Sequence, residues 1–390
     1  MRYPIENKPW RHHAFPLITL WNWGFTLAVY GIVALFLFNF TRISIYVRLA
    51  PTSSLFTNFV PLLTAVILIL LAVSGAHEIG HVLGGKLAGL RFQLLIIGPF
   101  KLTRVQGNLH WSWSRGGLFN GLAASIPEQN HNLRQRMLLF AMGGPAASLL
   151  LALGAGVFAW TLRDNASFRH DMAWLWESAL LVTAVSAIFF LSTMKPGRYQ
   201  NGLPADGGRI LMLMRGNPAA VRWCALVALN SANMRGVRPS AWDADLIQQA
   251  QSYTDGSYDD LTAQLLIYQW SLDSGFVDEA VHILETAVDS KAAWISGARA
   301  HLALEMAYHL AYYRHQAEDA SFWLQQAQRG PSVQRYRAEA AVYLAAEQYE
   351  QAALQAQAGL DALQRENRTG IDLAEQEWLQ KLLDESQRRA

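Results

Sequence analysis

The chain has 390 residues, of which 52% are hydrophobic and 14 are tryptophan, a composition that argues against an ordinary soluble enzyme. Its net charge of +2 conceals two unlike halves: residues 1–240 carry 21 basic and 7 acidic side chains (+14), and residues 241–390 carry 11 and 23 (−12). The single cysteine, Cys224, excludes an intrachain disulfide and fits a reducing compartment.

Four stretches approach or exceed the roughly 20 apolar residues needed to cross a bilayer. They are 15–40, 59–76 with its helix continuing past residue 76, 137–162, and 178–194. The first is too long for a cleavable signal and no small-residue cleavage site comes after it. Basic residues concentrate in the N-terminal tail, in the loop after the second span and in the segment after the fourth, which predicts both termini on the cytoplasmic side. Between the second and third spans, "RFQLLIIGPFKLTRV" holds strand formers broken at Gly98–Pro99, followed by "GNLHWSWSRGG". This reads as a hairpin or small sheet at the membrane surface, with Trp111 and Trp113 either anchored in the interface or simply packed.

Beyond residue 216 the composition changes. Residues 217–245 read as a linker, and 246–390 as a soluble, acidic helical module. Three segments, 274–288, 315–328 and 346–360, each place a short turn before an amphipathic helix. Their alanines Ala280, Ala320 and Ala352 stand 40 and 32 apart, around the ~34-residue period of tetratricopeptide helix pairs. Plain helical hairpins would give a similar pattern. The fold class is therefore mainly α: a polytopic membrane bundle of about four spans with a small surface sheet, then a repeat-like helical tail. Its divisions are 1–58 (tail, first span, external loop), 59–216 (membrane core), 217–245 and 246–390.

The apolar run from 49 to 76 contains no Asp, Glu, Lys or Arg, and it leads into "SGAHEIGHVLGG" at 74–85. H-E-x-x-H on a helix sets His77 and His81 at i and i+4 on one face, where two imidazoles bind one Zn²⁺. Glu78 stands beside them as general acid/base. The plainer alternative is two histidines at a helix end with the glutamate paired to Lys or Arg. Ionisable groups at the edge of hydrocarbon are costly and usually functional, which favours the metal. His77 lies about 27 Å along a helix begun at residue 59, near the cytoplasmic boundary of a core about 30 Å thick.

A catalytic zinc usually takes three protein ligands. Besides Glu78, the first 240 residues offer Glu6, Glu128, Asp164, Asp171, Glu177 and Asp206. Loop charges put Asp164, Asp171 and Glu177 at the opposite face, while Glu6 is in a tail and Glu128 in a loop. Asp206 comes after the fourth span on the side of His77, in "NGLPADGGRIL", where Pro204 and Gly207–Gly208 make a tight turn that aims its carboxylate. Asp-Gly also makes ordinary turns and N-caps, so the assignment rests on convergence with the histidines.

HEIGH at the end of a span, with D-G-G after a later one, resembles the site-2 protease family of intramembrane zinc metalloproteases. "MGGPAASLLLAL" at 142–153 is similar to that family's G-P-x-x-N/S/G element at Gly144, Pro145 and Ser148. The resemblance covers about residues 60–211. It implies Zn²⁺ on His77, His81 and Asp206, Glu78 as general acid/base, and cleavage of a membrane-protein substrate within a transmembrane segment. It also implies a bacterial inner membrane as the location. The family's Asn-x-x-Pro has two competing placements here, Asn201 to Pro204 and Thr193 to Pro196. The substrate is expected to add to a sheet edge supplied by 92–105. The tail offers a surface for a cytoplasmic protein partner, and no nucleic-acid partner is expected. The competing function is a membrane-anchored scaffold whose tail binds a partner and whose zinc site is structural or vestigial.

Overall fold

From Leu55 the apolar run and the H-E-x-x-H motif form one uninterrupted helix, α1 (Leu55–Leu87). The protein is described by a computed structural model over residues 55–105, 107–114, 120–198, 203–296, 298–327, 332–364 and 368–390, together with Gly24 and Leu27. The expected first span and nearly all of 1–58 lie outside the described residues.

Among the described residues, three helices are long and apolar enough to cross a membrane: Thr64–Leu87 within α1, then α2 (Leu133–Thr161), and the Trp174–Thr193 part of α4 (Ala173–Thr193). A short helix α3 (Ala166–Asp171) joins α2 to α4. Large apolar side chains such as Leu150, Leu153, Val157 and Trp160 project outward from α2. Helices facing water would not retain such a surface; lipid accepts it. The α1–α2 crossing is close because glycines face each other: a Cβ on Gly80 or Gly143 would strike the other's carbonyl oxygen, and one on Gly84 would strike that of Leu139. This is the small-residue approach that lets membrane helices pack by backbone contact.

Between α1 and α2 the chain builds a four-stranded antiparallel sheet in the order β3-β2-β1-β4. Its strands are β1 (Arg91–Ile97), β2 (Phe100–Val105), β3 (Asn108–Trp113) and β4 (Gly121–Ile126). Leu109, Trp111 and Trp113 share one face of β3 by strand alternation, and all three are exposed. Phe100 adds its ring beside both tryptophans, at centroid distances of 5.4 and 5.5 Å. The stretch 92–105 is not an edge, because β1 and β2 are each paired on both sides. The edges are β3 and β4, and β4 is the one laid against α1. Small residues allow that approach: Gly121 abuts Glu78, and Ser125 abuts Gly85.

After α4 come α5 (Asp206–Arg215) and α6 (Pro218–Met234), a 17-residue helix in the segment expected as a linker. The reason is two-sided burial. Ala220 and Ala228 pack with Leu133, Met137 and Leu213, while Ala225, Leu226 and Leu229 pack with Trp242, Ile247 and Leu266. A helix buried on two faces shows little amphipathic contrast, so composition alone reads it as a connector.

The remaining helices are α7 (Ala244–Gln251), α8 (Tyr258–Asp273), α9 (Val277–Val288), α10 (Lys291–Ser296), α11 (Arg299–Tyr312), α12 (Ala317–Gln326), α13 (Val333–Ala345), α14 (Tyr349–Gln364) and α15 (Gly370–Arg389). Three helix–turn–helix joints repeat one geometry. Gly275, His315 and Glu347 adopt positive φ (84°, 55° and 59°), each five residues before Ala280, Ala320 and Ala352. All three alanines are fully buried. The left-handed residue ends one helix, and the alanine lets the next lie close against it.

Candidate metal centre

His77 and His81 are buried on α1, one turn apart, with ring centroids 4.8 Å apart and planes nearly perpendicular. Asp206 is the first residue of α5, and its Oδ2 lies 3.1 Å from His77 Nε2 and 3.5 Å from His81 Nε2. The three donor atoms lie within 4.8 Å of one another, the one such cluster of three or more His, Cys, Asp or Glu among the described residues.

The far nitrogens of both rings are also engaged. His81 Nδ1 donates to the Phe140 carbonyl at 2.8 Å, and His77 Nδ1 is 2.9 Å from Ser148 Oγ. With Nδ1–H so used, a neutral His81 has its Nε2 free as a ligand atom beside the Asp206 carboxylate, an arrangement that suits a cation between them. The donor set of two imidazoles and one carboxylate, with outer partners fixing the rings, fits a divalent metal such as zinc. Gly144 is required beside it, because a Cβ there would run into the His81 ring.

The two glycines after Asp206 set the direction of its carboxylate. A Cβ on Gly207 would strike the Met194 carbonyl, and one on Gly208 the Gly197 carbonyl, so α5 starts hard against the end of α4. Pro204 forms an isolated antiparallel bridge with Arg198, closing the loop before Asp206. Glu78 is buried, and its carboxylate accepts the backbone N–H of Ala123 on β4.

Of the residues singled out by sequence, His77, His81 and Asp206 come together. Glu78, Gly144 and Ser148 surround them, and Pro204 and Gly207 shape the approach of Asp206. Asn201 lies outside the described residues. Thr193 turns its hydroxyl to the Phe190 carbonyl of its own helix at 3.3 Å. Asp164 and Asp171 lie in the connection from α2 to α4, at the opposite end of α4 from Met194. Sequence reasoning missed Gly121, Ala123 and the Phe140 carbonyl. The run "GLAASI" was a usable signal, since so small a strand suits close packing on a helix, whereas a backbone carbonyl leaves no signature.

Compared with protein-family models, with curated proteins and with solved structures, the chain matches none.

Proposed function

We propose that this chain is an intramembrane zinc metalloprotease of the site-2 type, hydrolysing a peptide bond in or near a transmembrane segment of another protein. The observation that carries the reading is the convergence of His77, His81 and Asp206, the last 129 residues from His77, at the C-terminal end of a membrane-length helix. His81 is six residues from the end of that helix, roughly 9 Å along the axis, so water reaches the site from the near face.

Zinc held by these three residues supplies a Lewis acid for the scissile carbonyl and lowers the pKa of a water. Glu78 takes a proton from the attacking water on its carboxylate and passes it to the leaving amide nitrogen. The C–N bond breaks, a C–O bond forms, and no covalent intermediate is required. Ala123 N–H steadies the Glu78 carboxylate, while Ser148 and the Phe140 carbonyl hold the imidazoles. A helical substrate hides its carbonyls and must unwind; the open edge of β4, beside Glu78, offers it a strand to pair with.

In this reading the core has four spans, the first within 1–58, in a bacterial inner membrane with both termini cytoplasmic. The acidic tail is a tetratricopeptide-like module that takes a cytoplasmic partner. The test uses full-length protein in proteoliposomes with single-span model substrates tagged at both ends. The parent carries about one zinc per chain and cuts a substrate. Glu78→Gln keeps the zinc and loses cutting by about 10²–10⁴-fold. Cutting at the parental rate by Glu78→Gln would overturn the proposal, and a chain that cuts nothing, binds a partner through its tail and is indifferent to that change is a scaffold.

A further inference from the structure

The glycine contacts around Asp206 are steric stops: they set how near α5 can approach α4, but they do not hold it there. Apolar packing of Ile210 and Leu213 with Leu133 and Met137 of α2 holds one face of α5, and charged ties come from the C-terminal helices. Arg209, three residues after Asp206, makes a two-point ion pair with Asp259 in the first turn of α8, Nη1 to Oδ2 at 2.7 Å and Nη2 to Oδ1 at 3.1 Å. Both side chains are largely buried, and the guanidinium lies 4.1 Å from the centre of the Trp223 ring of α6. On the other side of Asp206, Arg198 bridges to Pro204 and donates from Nη2 to Asp255 Oδ2 at 3.1 Å.

The turn that receives these arginines is itself braced. Fully buried Arg222 of α6 donates to the Tyr253 carbonyl, Asp255 Oδ1 and Ser257 Oγ at 2.9, 3.1 and 3.0 Å. Asp260 Oδ2 accepts the backbone N–H groups of Asp255 and Gly256, and Ser257 caps α8. Three arginines meet three aspartates, so the network is neutral and needs no metal of its own.

Resting on the metal reading of the site, we propose that residues 253–260 are a positioning element for Asp206, acting through Arg209–Asp259 and Arg198–Asp255. The C-terminal helices are thereby part of the metal centre, since they fix both flanks of its third ligand. A metal–carboxylate bond is only about 2.0–2.2 Å long, and a small slide of α5 takes the oxygen out of reach.

The test measures zinc affinity by chelator competition, and the visible d–d spectrum of the Co²⁺-loaded form, on full-length protein in detergent. Asp259→Asn is expected to weaken zinc binding about 10–100-fold and to change the cobalt spectrum. Arg209→Lys, which keeps the charge but not the two-point geometry, is expected to give a smaller loss. The swap Arg209→Asp with Asp259→Arg should recover part of the affinity. Asp273→Asn is the control, because it breaks the Arg238 pair at the opposite end of α8 and should leave both readouts parental. Parental affinity and spectrum in Asp259→Asn and Arg209→Lys would overturn the positioning role while leaving the protease reading intact. Equal loss in Asp273→Asn would overturn it too, by showing general damage. A parent that binds neither metal overturns both proposals.

Discussion

Two of the regions that bury charged or titratable side chains do it in opposite ways. In the C-terminal helices, Arg337 is fully buried between Glu305, at 2.5 Å, and Glu375, at 3.3 Å. Its guanidinium carbon lies 4.2 and 4.8 Å from the ring centres of Tyr308 and Trp378. Tyr268 donates a further hydrogen bond to Glu305 at 2.8 Å. Burial pushes the Glu375 carboxyl well above the usual carboxylate range, and a proton held there brings the group of one guanidinium and two carboxylates to neutrality. At the end of α1, by contrast, two imidazole nitrogens and a carboxylate oxygen converge, and among the described residues no arginine or lysine pairs with them. Burial of polar groups therefore does not mark a site by itself. What distinguishes the second cluster is that its donors lack a cation of their own.

That contrast fails if the tail cluster also responds like a binding site. Arg337→Met leaves the Glu305 carboxylate buried without its counter-charge and is expected to cost about 3–5 kcal/mol. Replacing Arg337, Glu305 and Glu375 together by apolar residues of similar size should restore most of that stability, because a buried ion group is often no better than a packed apolar one. Thermal unfolding of the full-length chain in detergent measures both. A triple variant as unstable as the single one would mean the cluster does more than neutralise itself.

The candidate metal centre should show the reverse sensitivity. Ser148→Ala removes the partner of His77 Nδ1, and zinc affinity is expected to fall about 10–100-fold with little change in the melting of the C-terminal helices. Chelator competition reads the first and tryptophan fluorescence the second. Undiminished zinc affinity would remove Ser148 from the support of the imidazoles.

How much of this the sequence showed depends on whether the information was local. His77, Glu78 and His81 lie within five residues, so helix periodicity alone puts the imidazoles on one face. Asp206 emerged by elimination, since so few carboxylates occur in the basic half. Ala280, Ala320 and Ala352 were visible as a recurrence, and the structure gives the reason in the left-handed residue five positions before each. Strand order was not legible: which of four short strands is an edge depends on long-range pairing, and β4 closes beside β1 only because Gly121 and Ser125 can approach α1. Nor was α6, whose apolar residues are divided between two cores. The clamp from Asp255 and Asp259 onto the flanks of Asp206 was equally hidden, because in sequence these are only charges on either side of an apparent linker.

The gentlest test of the comparison uses His309, which is buried in the tail near the Arg337 cluster and stacked on Tyr313 at 5.3 Å. Burial, aided by nearby Arg314, lowers its pKa from 6.5 to about 4. The folded chain thus keeps this imidazole neutral over a range in which the unfolded chain protonates it. The unfolded state binds more protons between about pH 6.5 and 4, so stability is complete above 6.5 and is lost as pH falls through that window. His309→Phe, which keeps the ring stack and cannot titrate, should flatten the acid side of the melting-temperature profile of the C-terminal helices by a few degrees at roughly pH 5. A profile unchanged by the substitution would mean that His309 does not set the acid limit. The residue would then join Tyr268 and Tyr308 as a packed, silent member of a cluster whose charges are already balanced.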